Sequence, residues 1–138
     1  DLILDHSRSP RNRELLVQYD VSGERINAFC GDEVRVQLAL AAGRIAKISV
    51  RAEGCAICTA SGSLMSEVVL GLALEKAEEI HEAFISLLRG TSDTSVDSLG
   101  PLAVMRAVSR SPVRVKCALL PWSALRGGIR AFSERPTA

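Results

Sequence analysis

The chain has 138 residues, 47% of them apolar, and a formal net charge of only +1; this is the size of one ordinary domain with enough apolar side chain for a core, and it excludes an intrinsically disordered chain. No run approaches the ~20 apolar residues of a membrane span and no basic-then-apolar leader opens the sequence, so residues 1–138 read as a single cytoplasmic domain. Aromatic residues make up 4% and do not interleave with basic ones, which leaves little to stack bases and argues against a nucleic-acid partner.

The first six residues, "DLILDH", read as the end of a helix, as if further residues precede Asp1, and "SRSPRNRE" follows as a loop broken by Pro10. A strand is predicted over residues 21–29. "EVRVQLAL" then alternates, with Val34, Val36, Leu38 and Leu40 on one face and Glu33, Arg35 and Gln37 on the other, the period of a half-buried strand. "AAG" is a short turn in which Gly43 takes positive φ, and "RIAKISVRA" returns with Ala46, Ile48, Val50 and Ala52 on one side.

After Gly54 the period becomes helical. Ile57, Ala60, Ser61, Leu64 and Val68 recur up to Gly71, and a second helix over 75–89 buries Ala77, Ile80, Phe84 and Leu87 beneath an acidic face of Glu75, Glu78, Glu79 and Glu82. Gly90 stops it, and "TSDTSVDS" is a polar loop. A short helix over Leu99 to Val108 carries Pro101 in its first turn. "SRSPVRV" reads as extended, and a last helix is predicted from Leu119 to Ala131. The fold class is therefore α+β, a small antiparallel sheet with helices packed on one face. Charge is uneven along it: residues 105–138 hold seven Arg or Lys against one acid, whereas 54–104 hold two bases and seven acids, so the C-terminal quarter offers a surface to an acidic partner.

Four cysteines, Cys30, Cys55, Cys58 and Cys117, are an even number. A core of this size needs no disulfide staple, and in a reducing compartment such cysteines bind metal or do chemistry; the other reading is that some are buried small apolar side chains. Cys30 falls in the turn before a strand, with Asp32 beside it. Cys55 falls between the returning strand and a helix, and Cys117 at an extended-to-helix junction. Side chains at element ends point toward a shared rim, and three thiolates with one carboxylate suit tetrahedral zinc. The spacing itself is not that of a zinc finger, so spacing alone leaves the metal and the buried-cysteine readings open.

"LILDHSRSPRN", "FCGDEVRV", "EGCAICTASGSLM" and "SPVRVKCALLPWSAL" resemble, in order and over nearly the whole chain, the motifs of the SufU/IscU-like iron–sulfur assembly family. The resemblance implies a three-stranded antiparallel sheet with helices on one side, and Cys30, Asp32, Cys55 and Cys117 as the metal-site residues. It also separates two branches. IscU-like scaffolds, on which a [2Fe–2S] cluster is assembled, carry histidine before the last cysteine, whereas SufU-type members carry lysine there and an insertion ahead of that cysteine. Lys116 and "TSDTSVDSLGPLAVMRAVSRSPVR" match the SufU type.

The resemblance thus implies a zinc-dependent sulfurtransferase that takes persulfide sulfur from a cysteine desulfurase of the SufS type and passes it to downstream iron–sulfur assembly machinery. Two other readings stand beside it: the scaffold, with an iron–sulfur cluster in place of zinc, and a binding module whose zinc is structural. Cys30, in a turn that can swing out, is the expected persulfide acceptor. Arg114 and Lys116, alternating along an extended run near Cys117, are expected to share a face and to stabilise the negative sulfur or dock the desulfurase. Cys58 stands where the family usually has serine; three residues from Cys55, it shares its side of the helix, which offers a spare ligand or a nearby thiol open to oxidation, and it reads first as a passive replacement. His6 and His81 read as structural or exposed, and Met65 and Trp122 as packing.

Overall fold

Alternating apolar residues draw three strands into one antiparallel sheet of order β1–β2–β3: β1 (Val21–Asn27), β2 (Asp32–Ala41) and β3 (Arg44–Glu53). The computed structural model describes residues 1–28, 30–90 and 99–135; Phe29, to which the first strand was expected to reach, and the "TSDTSVDS" segment lie outside them. Asp32, Val34, Val36 and Leu38 of β2 point inward and are buried, while Glu33 and Arg35 face outward. The β2–β3 hairpin closes on the pair Ala41 and Arg44, and its two loop residues, Ala42 at φ 53° and Gly43 at φ 76°, both take the left-handed backbone that a tight hairpin turn needs.

The alternation of β3 departs from expectation at one residue. Ala39 pairs with Lys47 and Leu40 with Ile45, so Ala46 is an extra residue in the ladder. Such a bulge reverses the side on which the residues beyond it point. Ala46 is therefore exposed, and Ile45 fills the core in its place. The loop after the first helix ties down the sheet: the Asn12 carbonyl accepts the Val50 N–H at 2.8 Å, and Gln37 is buried with its Oε1 accepting the Leu16 N–H at 2.8 Å.

Among the described residues, four α-helices and one 3₁₀ helix join the sheet: α1 (Leu2–Arg8), α2 (Ala56–Val69), α3 (Leu74–Arg89), the 3₁₀ helix (Gly100–Val108) and α4 (Pro112–Ser133). The inner face of the sheet packs against α2 and α4. Helix α2 is more enclosed than its pattern predicts, since residues 60–66 are all buried between the sheet, α1, the 3₁₀ helix and α4. Its small hydroxyl side chains find partners there: Ser63 Oγ lies 2.6 Å from His6 Nδ1, which explains why His6 is buried, and Ser61 Oγ–H donates to the Ala118 carbonyl at 2.5 Å. Helix α3 buries Ala77, Ile80, Phe84 and Leu87 as expected and ends at Gly90, φ 74°. Its acidic face meets the basic one of α4, where Arg126 pairs with Glu82, so part of the positive C-terminal quarter is matched within the molecule. His81 is buried against Trp122, ring centroids 5.5 Å apart, and burial pushes its imidazole down to about 4, leaving it neutral at physiological pH. Met65 and Trp122 are wholly enclosed.

The start of α4 corrects the expectation of an extended run with a helix from Leu119. The helix starts at Pro112, with Ser111 as its N-cap, the side chain accepting the Arg114 N–H at 3.4 Å. A capping serine followed by proline at the first helical position is a favourable helix start, and it outweighs the strand tendency of Val113 and Val115. Among the described residues no helix is long and apolar enough to cross a membrane.

Helix α4 approaches β1 backbone to backbone. A Cβ built on Gly23 would lie 2.0 Å from the Ala124 carbonyl oxygen and 2.9 Å from the Gly128 nitrogen. Neither atom can rotate away as a side chain would. Gly23→Ala is accordingly expected to force β1 and α4 apart and to cost ~3 kcal/mol or more, read as a fall of roughly 10 °C in the thermal unfolding midpoint; an unchanged midpoint would contradict this packing.

Candidate metal centre

The turn from β1 to β2, the junction of β3 with α2, and the second turn of α4 meet at one end of the sheet. Cys30 sits in the first, its N–H donating to the Asn27 carbonyl at 3.2 Å, and its side chain is exposed. Asp32 opens β2 on the inward face and is completely buried. Cys55 is the N-cap of α2, half-buried. Cys117 is buried, at 3% exposure. Two of the three thiols thus stand at element ends as expected. Cys117 does not: it projects from within α4, and Pro121, which has no N–H, leaves its carbonyl without the usual helical donor.

One donor atom from each of Cys30, Asp32 and Cys117 lies within 4.8 Å of the other two. Cys55 is outside that group but adjoins it, its N–H donating to Asp32 Oδ1 at 2.8 Å. The other carboxylate oxygen, Asp32 Oδ2, is buried with no hydrogen-bond partner. Leaving a buried carboxylate oxygen unpaired is costly, so this is a position that a cation would satisfy. Burial, with Cys55 and Asp32 alongside, pushes the Cys117 thiol well above its ordinary range; a cation among the same groups inverts that balance and favours thiolate. Soft sulfur donors with one carboxylate fit zinc or an iron–sulfur cluster.

Gly54 makes the carboxylate position available. Its φ of 139° is one that side chains rarely adopt, and an added Cβ would stand 1.9 Å from Asp32 Oδ1. In the sequence Gly54 marks only the point after which the period becomes helical; the signal for its role at the site is a glycine directly before a helix-capping cysteine.

Arg114 and Lys116 do not share a face. Being helical, they point some 200° apart around α4, both exposed. Arg114, three residues before Cys117, lies on that cysteine's flank, and Lys116 lies to one side. Cys58 is wholly buried in the first turn of α2, where burial, Asp32 and Cys55 push its thiol up to about 12.

Comparison with known proteins places this geometry. The NifU-like N terminal domain family matches residues 1–138. The "Zinc-dependent sulfurtransferase SufU" of Bacillus subtilis is 33% identical over 129 residues, 93% of this chain and 86% of that protein. An "Iron-sulfur cluster assembly scaffold protein IscU" of Streptococcus pyogenes is 29% identical, over 94% of this chain and 80% of that protein. Among solved structures, the "Putative iron-sulfur cluster assembly scaffold protein for SUF system (FiSufU)" of Fervidobacterium islandicum superposes with a TM-score of 0.86 at 29% identity, covering 91% of this chain and 92% of that one.

Proposed function

The chain belongs to the NifU-like N-terminal domain family, and from that premise we propose that it is a zinc-dependent sulfurtransferase of iron–sulfur cluster assembly, accepting persulfide sulfur at Cys30 from a cysteine desulfurase in the cytoplasm. The observation that carries this reading is the gathering of Cys30, Asp32 and Cys117 within 4.8 Å around a buried, unpaired carboxylate oxygen. Likeness along the chain to a protein named for zinc and sulfur transfer supports it, as does the Lys116 signature.

Cys30, Asp32, Cys55 and Cys117 would hold the zinc, which when bound keeps its sulfur ligands as thiolates, the form that attacks a persulfide. Cys30 is the exposed member. Its sulfur attacks the outer sulfur of the desulfurase persulfide, a new S–S bond forms on Cys30, the S–S bond on the desulfurase breaks, and that cysteine leaves as thiolate. Cys117 and Asp32, both buried, stay in place and keep the site's shape. Arg114, on the Cys117 flank, and Lys116 offer positive charge to the negative sulfur or to the docking desulfurase.

The decisive experiment adds the purified chain to a SufS-type cysteine desulfurase and follows alanine and sulfide release. A several-fold stimulation that depends on Cys30 is expected; no stimulation would reject the transfer reading. The second reading, a scaffold for a [2Fe–2S] cluster, is favoured by the named scaffold relatives. Metal analysis separates the two, zinc in a colourless protein supporting transfer and iron in a brown one supporting the scaffold.

A further inference from the structure

Cys58 has no part in the transfer just described. It follows Cys55 in a Cys-x-x-Cys pattern set on the N-terminus of α2, a placement found in reversible dithiols. The two thiols differ in access, Cys55 being half-buried and Cys58 enclosed. Cys55 Sγ folds back over the first helical turn and accepts the Cys58 N–H at 3.3 Å, which brings it against the residue bearing the second sulfur. The Cα atoms of an N-cap residue and of the third helical residue after it stand about 5–6 Å apart, inside the span of about 4.4–6.8 Å that a disulfide bridges. Cys55 is also the thiol left outside the trio of gathered donors.

We propose that Cys55 and Cys58 form a reversible dithiol–disulfide pair oxidised by hydroperoxides. The Cys55 sulfur attacks the O–O bond and takes one oxygen, becoming a sulfenic acid while water or an alcohol departs. The Cys58 sulfur then attacks the Cys55 sulfur; the S–S bond forms, the S–O bond breaks, and the Cys58 proton leaves with the hydroxyl as water. Two electrons pass from the two thiols to the peroxide, and a small dithiol returns them. The pair forms in the metal-free chain, where no zinc holds Cys55, and needs no desulfurase, so its failure would leave the sulfur-transfer reading untouched.

The test is a thiol map of the full chain, freed of metal with a chelator, treated with hydrogen peroxide, alkylated and digested with trypsin. Cleavage after Arg51 and Lys76 leaves Cys55 and Cys58 together in one peptide and Cys30 and Cys117 in two others. The expected result is a 52–76 peptide that has lost two hydrogens, resists alkylation at both cysteines, and regains both sites after dithiothreitol. In Cys58→Ser the same treatment should drive Cys55 onward to sulfinic acid, at about 5-fold or more the wild-type yield, because no neighbour captures the sulfenic acid. A wild-type 52–76 peptide alkylated at both cysteines would overturn the proposal, and so would Cys55 recovered cross-linked to the Cys117 peptide.

Discussion

Replacing Cys30 by serine is expected to reduce sulfur accepted from a cysteine desulfurase about 100-fold or more, because a hydroxyl at neutral pH is no substitute for a thiolate in attack on a persulfide. The measurement is the fraction of chain carrying one added sulfur atom after a single desulfurase turnover, by intact-mass spectrometry. Cys30 is exposed in a turn, so stability should stay within ~0.5 kcal/mol of the parent for the metal-free chain. Serine also weakens any metal held there, and Cys30→Asp separates the two effects. Aspartate keeps an anionic donor for zinc and carries no sulfur, so Cys30→Asp should retain zinc and still accept no sulfur. A Cys30→Ser chain that accepts sulfur at the parental rate would move the acceptor to Cys55 or Cys117.

The same site shows how far local pattern reaches. Cys30 and Asp32 were legible because a turn followed by clean alternation fixes both the loop and the inward face on which Asp32 falls. Cys55 was legible because the change of period after Gly54 marks a helix start. Cys117 was misplaced: Pro112, Val113 and Val115 read locally as extended, while the Ser111–Pro112 start signal sits in the same few residues and wins once the apolar side of α4 is buried against β1 and α2. That error also put Arg114 and Lys116 on one face. Ala46 was misread because a bulge depends on the partner strand, which alternation along one strand does not contain. His81 sits in a charged stretch of α3, and only the arrival of Trp122 from α4 encloses it. What local pattern does not hold at all is convergence. Cys117 reaches Cys30 and Asp32 because α4 lies across the sheet, with Ser61 of α2 held to the Ala118 carbonyl one residue further on.

The second large effect is expected at a residue that offers no donor atom. In Gly54→Ala the new methyl carbon would stand 1.9 Å from Asp32 Oδ1 and 2.8 Å from its Cγ, so the carboxyl must turn away and give up the Cys55 N–H that it now accepts at 2.8 Å. The backbone at φ 139° adds strain of its own. Together these should cost ~2–4 kcal/mol in the metal-free chain, and moving the one oxygen donor should weaken zinc binding by about 10–100-fold in competition with a chromogenic chelator. Asp32→Asn isolates the second effect. Its side-chain oxygen can still accept from Cys55, and it removes a buried charge whose Oδ2 is unpaired, so metal-free stability should hold or rise while zinc affinity falls. If Gly54→Ala unfolds more easily yet binds zinc as tightly as the parent, Asp32 is a structural carboxylate and the centre is built from sulfur alone.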